Sequence, residues 1–168
     1  AAASATAQAT ATAAASATAQ ATATAAASAT AVPPRVAATV VRVPDGSTLD
    51  VRIEGVRVAV AYLGAKAPSM NTLCGAEAHA RNRDLAGTAV FLEADARYEL
   101  DDRGFRLFYA YRPDGLFIDG TLVQEGLARA VRLDGRHGAL LAALEAEAQA
   151  AKRGCLWSTE TIPGGAQP

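Results

Sequence analysis

Acids, guanidinium groups and hydroxyls gather in three short stretches of this chain: Asp45-Gly46-Ser47-Thr48, Lys66-Ala67-Pro68-Ser69 and Asp101-Asp102-Arg103-Gly104-Phe105-Arg106. Groups of these kinds can do phosphate-ester chemistry. Carboxylates hold a hard divalent cation through oxygen, one of them can activate water, and guanidinium groups stabilise charge on a phosphate. Asp101, Asp102, Asp114 and Asp119 offer a second set of oxygen ligands, but the first two fall in a turn and Asp119 opens a short helix, where it reads as a cap. His79 and His137 have no ligand-like spacing to each other or to cysteine, so both read as surface residues. Phe105, Phe108, Tyr109 and Tyr111 lie along one strand and could stack on bases. Half of them, however, must face a core. Arg103, Arg106, Arg112, Arg129, Arg132 and Arg136 suggest a basic face, but acids interspersed among them make a mixed, solvated surface.

The elements that must position these groups begin after Pro33-Pro34, since neither proline continues a helix. Val36 to Val43 is rich in β-branched residues and reads as a strand, followed by a turn at Pro44-Asp45-Gly46-Ser47. Leu49, Val51 and Ile53 alternate with polar residues, Glu54-Gly55 turns the chain, and Val56, Val58 and Val60 carry the alternation to Leu63. That makes a three-stranded meander. Gly75 to Gly87 reads as a helix. Val90 to Leu100 and Phe105 to Tyr111 form a hairpin around Asp101 to Gly104; Asp119 to Glu125 and Ala139 to Lys152 are helices, the last closed by Gly154. The order is βββ-α-ββ-α-α, a small α+β barrel.

Residues 1–31 contain only Ala, Ser, Thr and Gln. AAASATAQATAT fills 1–12, recurs at 13–24 and restarts at 25, an exact period of twelve. Two and a half copies without cysteine or glycine turns make a poor solenoid, so residues 1–34 read as a low-complexity tail and Pro-Pro linker. A domain then spans 35–160, with a short tail at 161–168. No apolar run of about twenty residues occurs, so no membrane span is expected. All the charge lies from Arg35 onward, where 16 basic and 17 acidic residues leave a formal net charge of −1. Near neutrality argues against nucleic acid as the main partner, because phosphate neutralisation supplies most non-specific affinity.

From about residue 40 to 158 the chain resembles the staphylococcal nuclease (thermonuclease) family. The resemblance rests on Asp45-Gly46-x-Thr48, Pro68 after the third strand, Gly75-x-Glu77-Ala78, the Asp102 to Arg106 turn, Gly126-Leu127-Ala128, Glu147-Ala148-Gln149-Ala150 and Leu156-Trp157, in order. It implies an OB-type five-stranded β-barrel with three helices.

The same resemblance implies that the family's chemistry is missing. Where the family's first turn reads Asp-Gly-Asp-Thr, the second aspartate, a calcium ligand, is here Ser47. The later ligand and the base correspond to Lys66 and Ser69, and the strand arginine to Ala61. Asp45 and the second arginine, as Arg106, are retained, although the neighbouring Tyr-Gly order has become Gly104-Phe105. An ammonium about 4 Å from a divalent ion would oppose it by about 8 kcal/mol at an effective dielectric of 20. No metal or cofactor is therefore expected, and Lys66 reads either as a solvated surface side chain or, the sharper expectation, as a replacement for the cation that pairs with Asp45. Cys74 and Cys155 occupy places where exported relatives carry a cysteine pair. They are the candidate disulfide, which would imply an oxidising compartment such as periplasm, intermembrane space or lumen.

The expectation is a non-catalytic nuclease-like domain, a structural or protein-interaction module and accessory subunit of a larger assembly. Its rivals are a nucleic-acid-binding module without cleavage and a divalent-metal nuclease with a rearranged site.

Overall fold

The computed structural model describes residues 33–131 and 135–158. The expectations for the repeat tail, Arg132 and the C-terminal tail lie outside the described residues. In chain order the elements are β1 (Arg35–Asp45), β2 (Thr48–Ile53), β3 (Val56–Tyr62), β4 (Ala65–Lys66), α1 (Leu73–Ala86), β5 (Ala89–Glu93), β6 (Arg106–Tyr111), α2 (Ile118–Gln124), β7 (Arg129–Ala130), α3 (Gly138–Ala150) and α4 (Gly154–Trp157).

β1, β2 and β3 form the expected antiparallel meander. Glu54 and Gly55 join β2 to β3 with φ of 49° and 84°, the left-handed backbone that matches a two-residue hairpin to the twist of its strands. β1 serves two neighbours. Its first residues, Arg35 to Thr39, run against β5, and Thr39 to Asp45 run against β2 with register shifts on either side of Arg42. Such irregularities bend a strand, and here the bend lets one strand close the sheet. β6 pairs antiparallel with β5 and parallel with β3, giving a closed barrel in the order β1-β2-β3-β6-β5. This α+β barrel is compatible with an OB-type fold.

Alternation fills the interior. Leu49 and Val51, Val60 and Tyr62, Val90 and Leu92 are all buried, each aliphatic contributing about 1.5–3 kcal/mol relative to exposure. β6 departs from alternation: Phe108, Tyr109, Ala110 and Tyr111 are all buried, because α2 packs against this strand as well. Ile118, Leu122 and Val123 of α2 are completely enclosed.

Several boundaries differ from the sequence reading. α1 starts at Leu73 rather than Gly75, because Thr72 is its N-cap and accepts the Gly75 N–H at 2.9 Å. β5 ends at Glu93 rather than Leu100. Asp95 turns the chain there by accepting the N–H of Arg97, and only isolated bridges, Asp95 to Tyr98 and Leu100 to Arg106, continue the pairing. The described residues hold four helices rather than three, and two further strands, β4 and β7, pair with each other outside the barrel. These added elements run two to four residues, too short to show a period.

Candidate functional site

The β1–β2 turn, β4 and the loop leading to α1 frame an open cleft of about 390 Å³, lined by Asp45, Ser47, Lys66, Ser69 and Arg103 among others. A narrower recess of about 190 Å³ shares Ser47, Lys66 and Arg103 and extends to Ala61, Asp101 and Asp102. Asp45, Ser47, Ala61, Lys66 and Ser69, drawn from four segments of sequence, are thus brought together. Arg106 is not among the lining residues. It pairs with Glu99 at 3.6 Å beside the Phe108 ring, and Arg103 supplies the guanidinium at the cleft instead.

Local chemistry explains how the walls are held. Asp45 accepts the Ser47 N–H at 2.8 Å, closing an Asx turn. Gly46 is required within it, since a Cβ there would meet the methyl groups of Ala67 and Ala78 at 2.6 and 2.7 Å. α1 clamps the turn from behind: buried Asn82 accepts from the Tyr62 hydroxyl at 2.6 Å and donates to the Asp45 carbonyl at 2.9 Å. His79 donates through Nε2 to the Val43 carbonyl at 2.8 Å, so it is a half-buried structural residue rather than a surface one. On the other wall the Ser69 carbonyl accepts both the N–H and the hydroxyl of Thr72, tying the cleft loop to the start of α1. The Cys74–Cys155 disulfide, with Cα atoms 5.3 Å apart, then fastens that end of α1 to α4.

Electrostatically the cleft is sparsely satisfied. Lys66 is exposed and makes no ion pair among the described residues, so the expected Lys66–Asp45 pair is absent. The physical reason is that Asp45 already has a partner in the turn backbone, while a solvated ammonium gains little from an exposed pair. Ser47 as a residue is 6% exposed and lines both parts of the cleft, and its hydroxyl makes no hydrogen bond among the described residues; the buried side-chain atoms without a partner among those residues are Thr48 Oγ1 and Trp157 Nε1. Arg103 is engaged on one edge by Asp101, whose Oδ2 lies 3.0 and 2.9 Å from Nε and Nη2. Burial pushes the Asp101 carboxyl up, but the N–H of Phe105 and the Arg103 fork outweigh it and hold the pKa below the usual range. Among the described residues no three His, Cys, Asp or Glu converge as a ligand group. This chain matches no protein-family model and no curated protein.

The aromatic residues of β6 do not form a stacking platform. Phe108, Tyr109 and Tyr111 are buried, and Phe105 sits under the Arg103 guanidinium at 4.6 Å. The described arginines of the suggested basic face are largely engaged. Arg103, Arg106, Arg112 and Arg136 pair with Asp101, Glu99, Asp114 and Glu93, and Arg129 lies over the Trp157 ring at 4.6 Å.

Two polar centres escaped sequence reasoning. Asp119 is not a helix cap but a fully buried carboxyl, accepting the Gly64 and Ala110 N–H groups at 2.9 Å each and so joining β6 to the chain beyond β3. Burial raises its pKa to about 7 against the pull of those donors. Glu93, 1% exposed, meets Arg35 at 3.2 Å, and His137 Nε2 lies 3.0 Å from both its carboxylate and the Tyr111 hydroxyl. His137 is therefore part of a packed cluster. The available signal was weak: a single acid inside an otherwise apolar stretch, Phe117-Ile118-Asp119, is one hint of a buried partnered group.

Proposed function

We propose that this domain is a catalytically degenerate relative of the staphylococcal nuclease family, serving as a structural or protein-interaction module rather than an enzyme. One observation carries the reading. The positions where the resemblance expects calcium ligands and a base meet in one cleft, and they carry an ammonium and two hydroxyls, with Asp45 the single carboxylate among them. That donor set does not suit a hard cation that needs several oxygen ligands and negative charge.

The barrel order and its helices support the fold half of the proposal. Met70 and Leu73, 39% and 63% exposed beside the cleft loop, support contact with another protein, since they present apolar surface next to polar groups. The buried aromatic rings and paired arginines disfavour nucleic acid as the partner. The disulfide is compatible with an oxidising compartment. No helix among the described residues is long and apolar enough to cross a membrane.

The test is calorimetric titration with calcium, alongside cleavage assays on DNA and RNA with and without the ion. Neither binding nor stimulated cleavage is expected at calcium concentrations up to about 1 mM. Calcium-dependent cleavage abolished by either Arg103→Ala or Arg106→Ala would overturn the reading.

A further inference from the structure

We propose that the Cys74–Cys155 disulfide is a site of thiol–disulfide exchange that latches α4 onto the domain: a dithiol reductant attacks Cys155, and opening the bond frees α4 and exposes Trp157. The proposal goes beyond the non-catalytic reading and does not rest on it.

The attachment of α4 carries the argument. The helix is four residues long, and none of them is buried. Among the described residues of α4 only Cys155 packs against the hydrophobic core, so the cystine itself is the apolar anchor. Apart from it, α4 is held by the Leu156 N–H, which donates to the Gly126 carbonyl at 3.1 Å, and by the Arg129 guanidinium over the Trp157 ring at 4.6 Å. Another feature opposes these ties. Trp157 Nε1 is buried and donates to nothing among the described residues, which penalises the docked arrangement, and water satisfies it once α4 lifts away.

The preceding chain permits a local release. Lys152 takes a left-handed φ of 50° and the Arg153 N–H donates to the Ala148 carbonyl at 2.9 Å, so α3 is capped before α4 begins. Gly154, at φ 61°, is the joint. Docked and released α4 are thus two arrangements of one short element, and the covalent bond biases it to the first.

Both cysteines are half-buried, so the bond is reachable from solvent. Cys74 lies in the first turn of α1, whose free backbone N–H groups stabilise a departing thiolate. A reductant thiolate therefore attacks Cys155 Sγ, and the electron pair of the broken S–S bond leaves on Cys74 Sγ, which takes up a proton. The reductant's second thiol then displaces Cys155 as a thiol. The reductant ends as a disulfide, having given up two electrons and two protons. Released, Leu156 and Trp157 join Leu73, already 63% exposed beside Cys74, as apolar surface in water.

Trp157 is the only tryptophan of the chain, so its emission reports α4 directly. The experiment compares the oxidised full chain with the chain reduced by dithiothreitol, with thiols counted and far-ultraviolet circular dichroism recorded alongside. As the thiols appear, the emission should move to the red and acrylamide quenching should rise several-fold, while the dichroism stays that of the oxidised chain. The reduction rate should grow in proportion to dithiothreitol, and a thioredoxin-class protein lacking its second cysteine should be trapped on Cys155.

Unchanged emission and quenching in the fully reduced chain overturn the proposal. So does dichroism lost in step with reduction, because the bond then holds the whole domain rather than α4. A reduction rate that levels off at high dithiothreitol would show attack waiting on global unfolding, and trapping on Cys74 would reverse the assigned attack; either result also overturns it. None of these outcomes bears on calcium-dependent cleavage, which tests the non-catalytic reading by itself.

Discussion

The cleft and the Asp119–Glu93 region use the same kinds of residue for opposite ends. Around Asp119 and Glu93 each buried carboxylate is matched: two backbone N–H groups at 2.9 Å for one, Arg35 at 3.2 Å and His137 at 3.0 Å for the other. In the cleft, Ser47 and Lys66 have no such partners among the described residues. The matched groups tie distant segments of the fold together, whereas Lys66 is solvated and Ser47 borders the open cleft. Residue type alone does not distinguish the two regions; burial and partnering do.

The largest expected effect lies at the disulfide, which anchors the cleft's outer wall rather than the packed centre. Cys74 and Cys155 are 81 residues apart, and in the chain-entropy model closing such a loop contributes about 4–5 kcal/mol. Replacing both with serine should lower stability by an amount of that order in urea unfolding, with amide exchange rising most at the start of α1 and in the Ser69 to Thr72 loop. Uniformly faster exchange would show that the cleft wall is not separately anchored.

Next comes the packed centre itself. Asp119→Ala strands two buried N–H donors and should cost about 2–5 kcal/mol, read as a shift in the urea midpoint. A loss below about 1 kcal/mol would mean that the two regions do not differ in the way described.

Asp119 also gives a pH signature. Its folded pKa, about 7, stands above the ordinary 3.8, so the folded state keeps a proton that the unfolded chain releases in between. Its contribution is fully present below about pH 4 and is lost as pH rises towards 7. The difference in unfolding free energy between the parent and Asp119→Asn should therefore shrink across that window. Asp95 runs the other way: the Arg97 hydrogen bonds lower it to about 2, so its contribution holds above the ordinary 3.8 and falls away as pH drops towards 2. A difference that stays flat from about pH 4 to 7 would mean Asp119 is ionised throughout.

The smallest effect should be at Lys66. Because it is exposed and has no ion pair among the described residues, Lys66→Ala should change stability by less than about 0.5 kcal/mol in the same unfolding assay. A loss above about 1 kcal/mol would reveal a buried partner and move Lys66 from the cleft's class of residue into the centre's.

By itself the sequence determined the meander, three of the four helices among the described residues and the barrel's apolar face, because period and turn chemistry are local: Val56, Val58 and Val60 show a strand wherever it is placed, and Glu54-Gly55 shows its turn. The resemblance to a known family, rather than period or turn chemistry, marked Ser47, Ala61, Lys66 and Ser69 as the positions to watch, and the cleft and its adjoining recess are lined by them. Only the tertiary structure decided the partners. Asp119 looked like a cap because it opens a helix, yet its acceptors point to Gly64, 55 residues away, and to Ala110. His137 looked exposed until a strand 44 residues distant brought Glu93 beneath it. Lys66 and Asp45 looked like a pair by charge, but a backbone N–H two residues on reaches Asp45 first. Hydrogen bonds form with whatever the fold brings within about 3 Å, and that proximity is set by chain closure rather than by neighbouring letters.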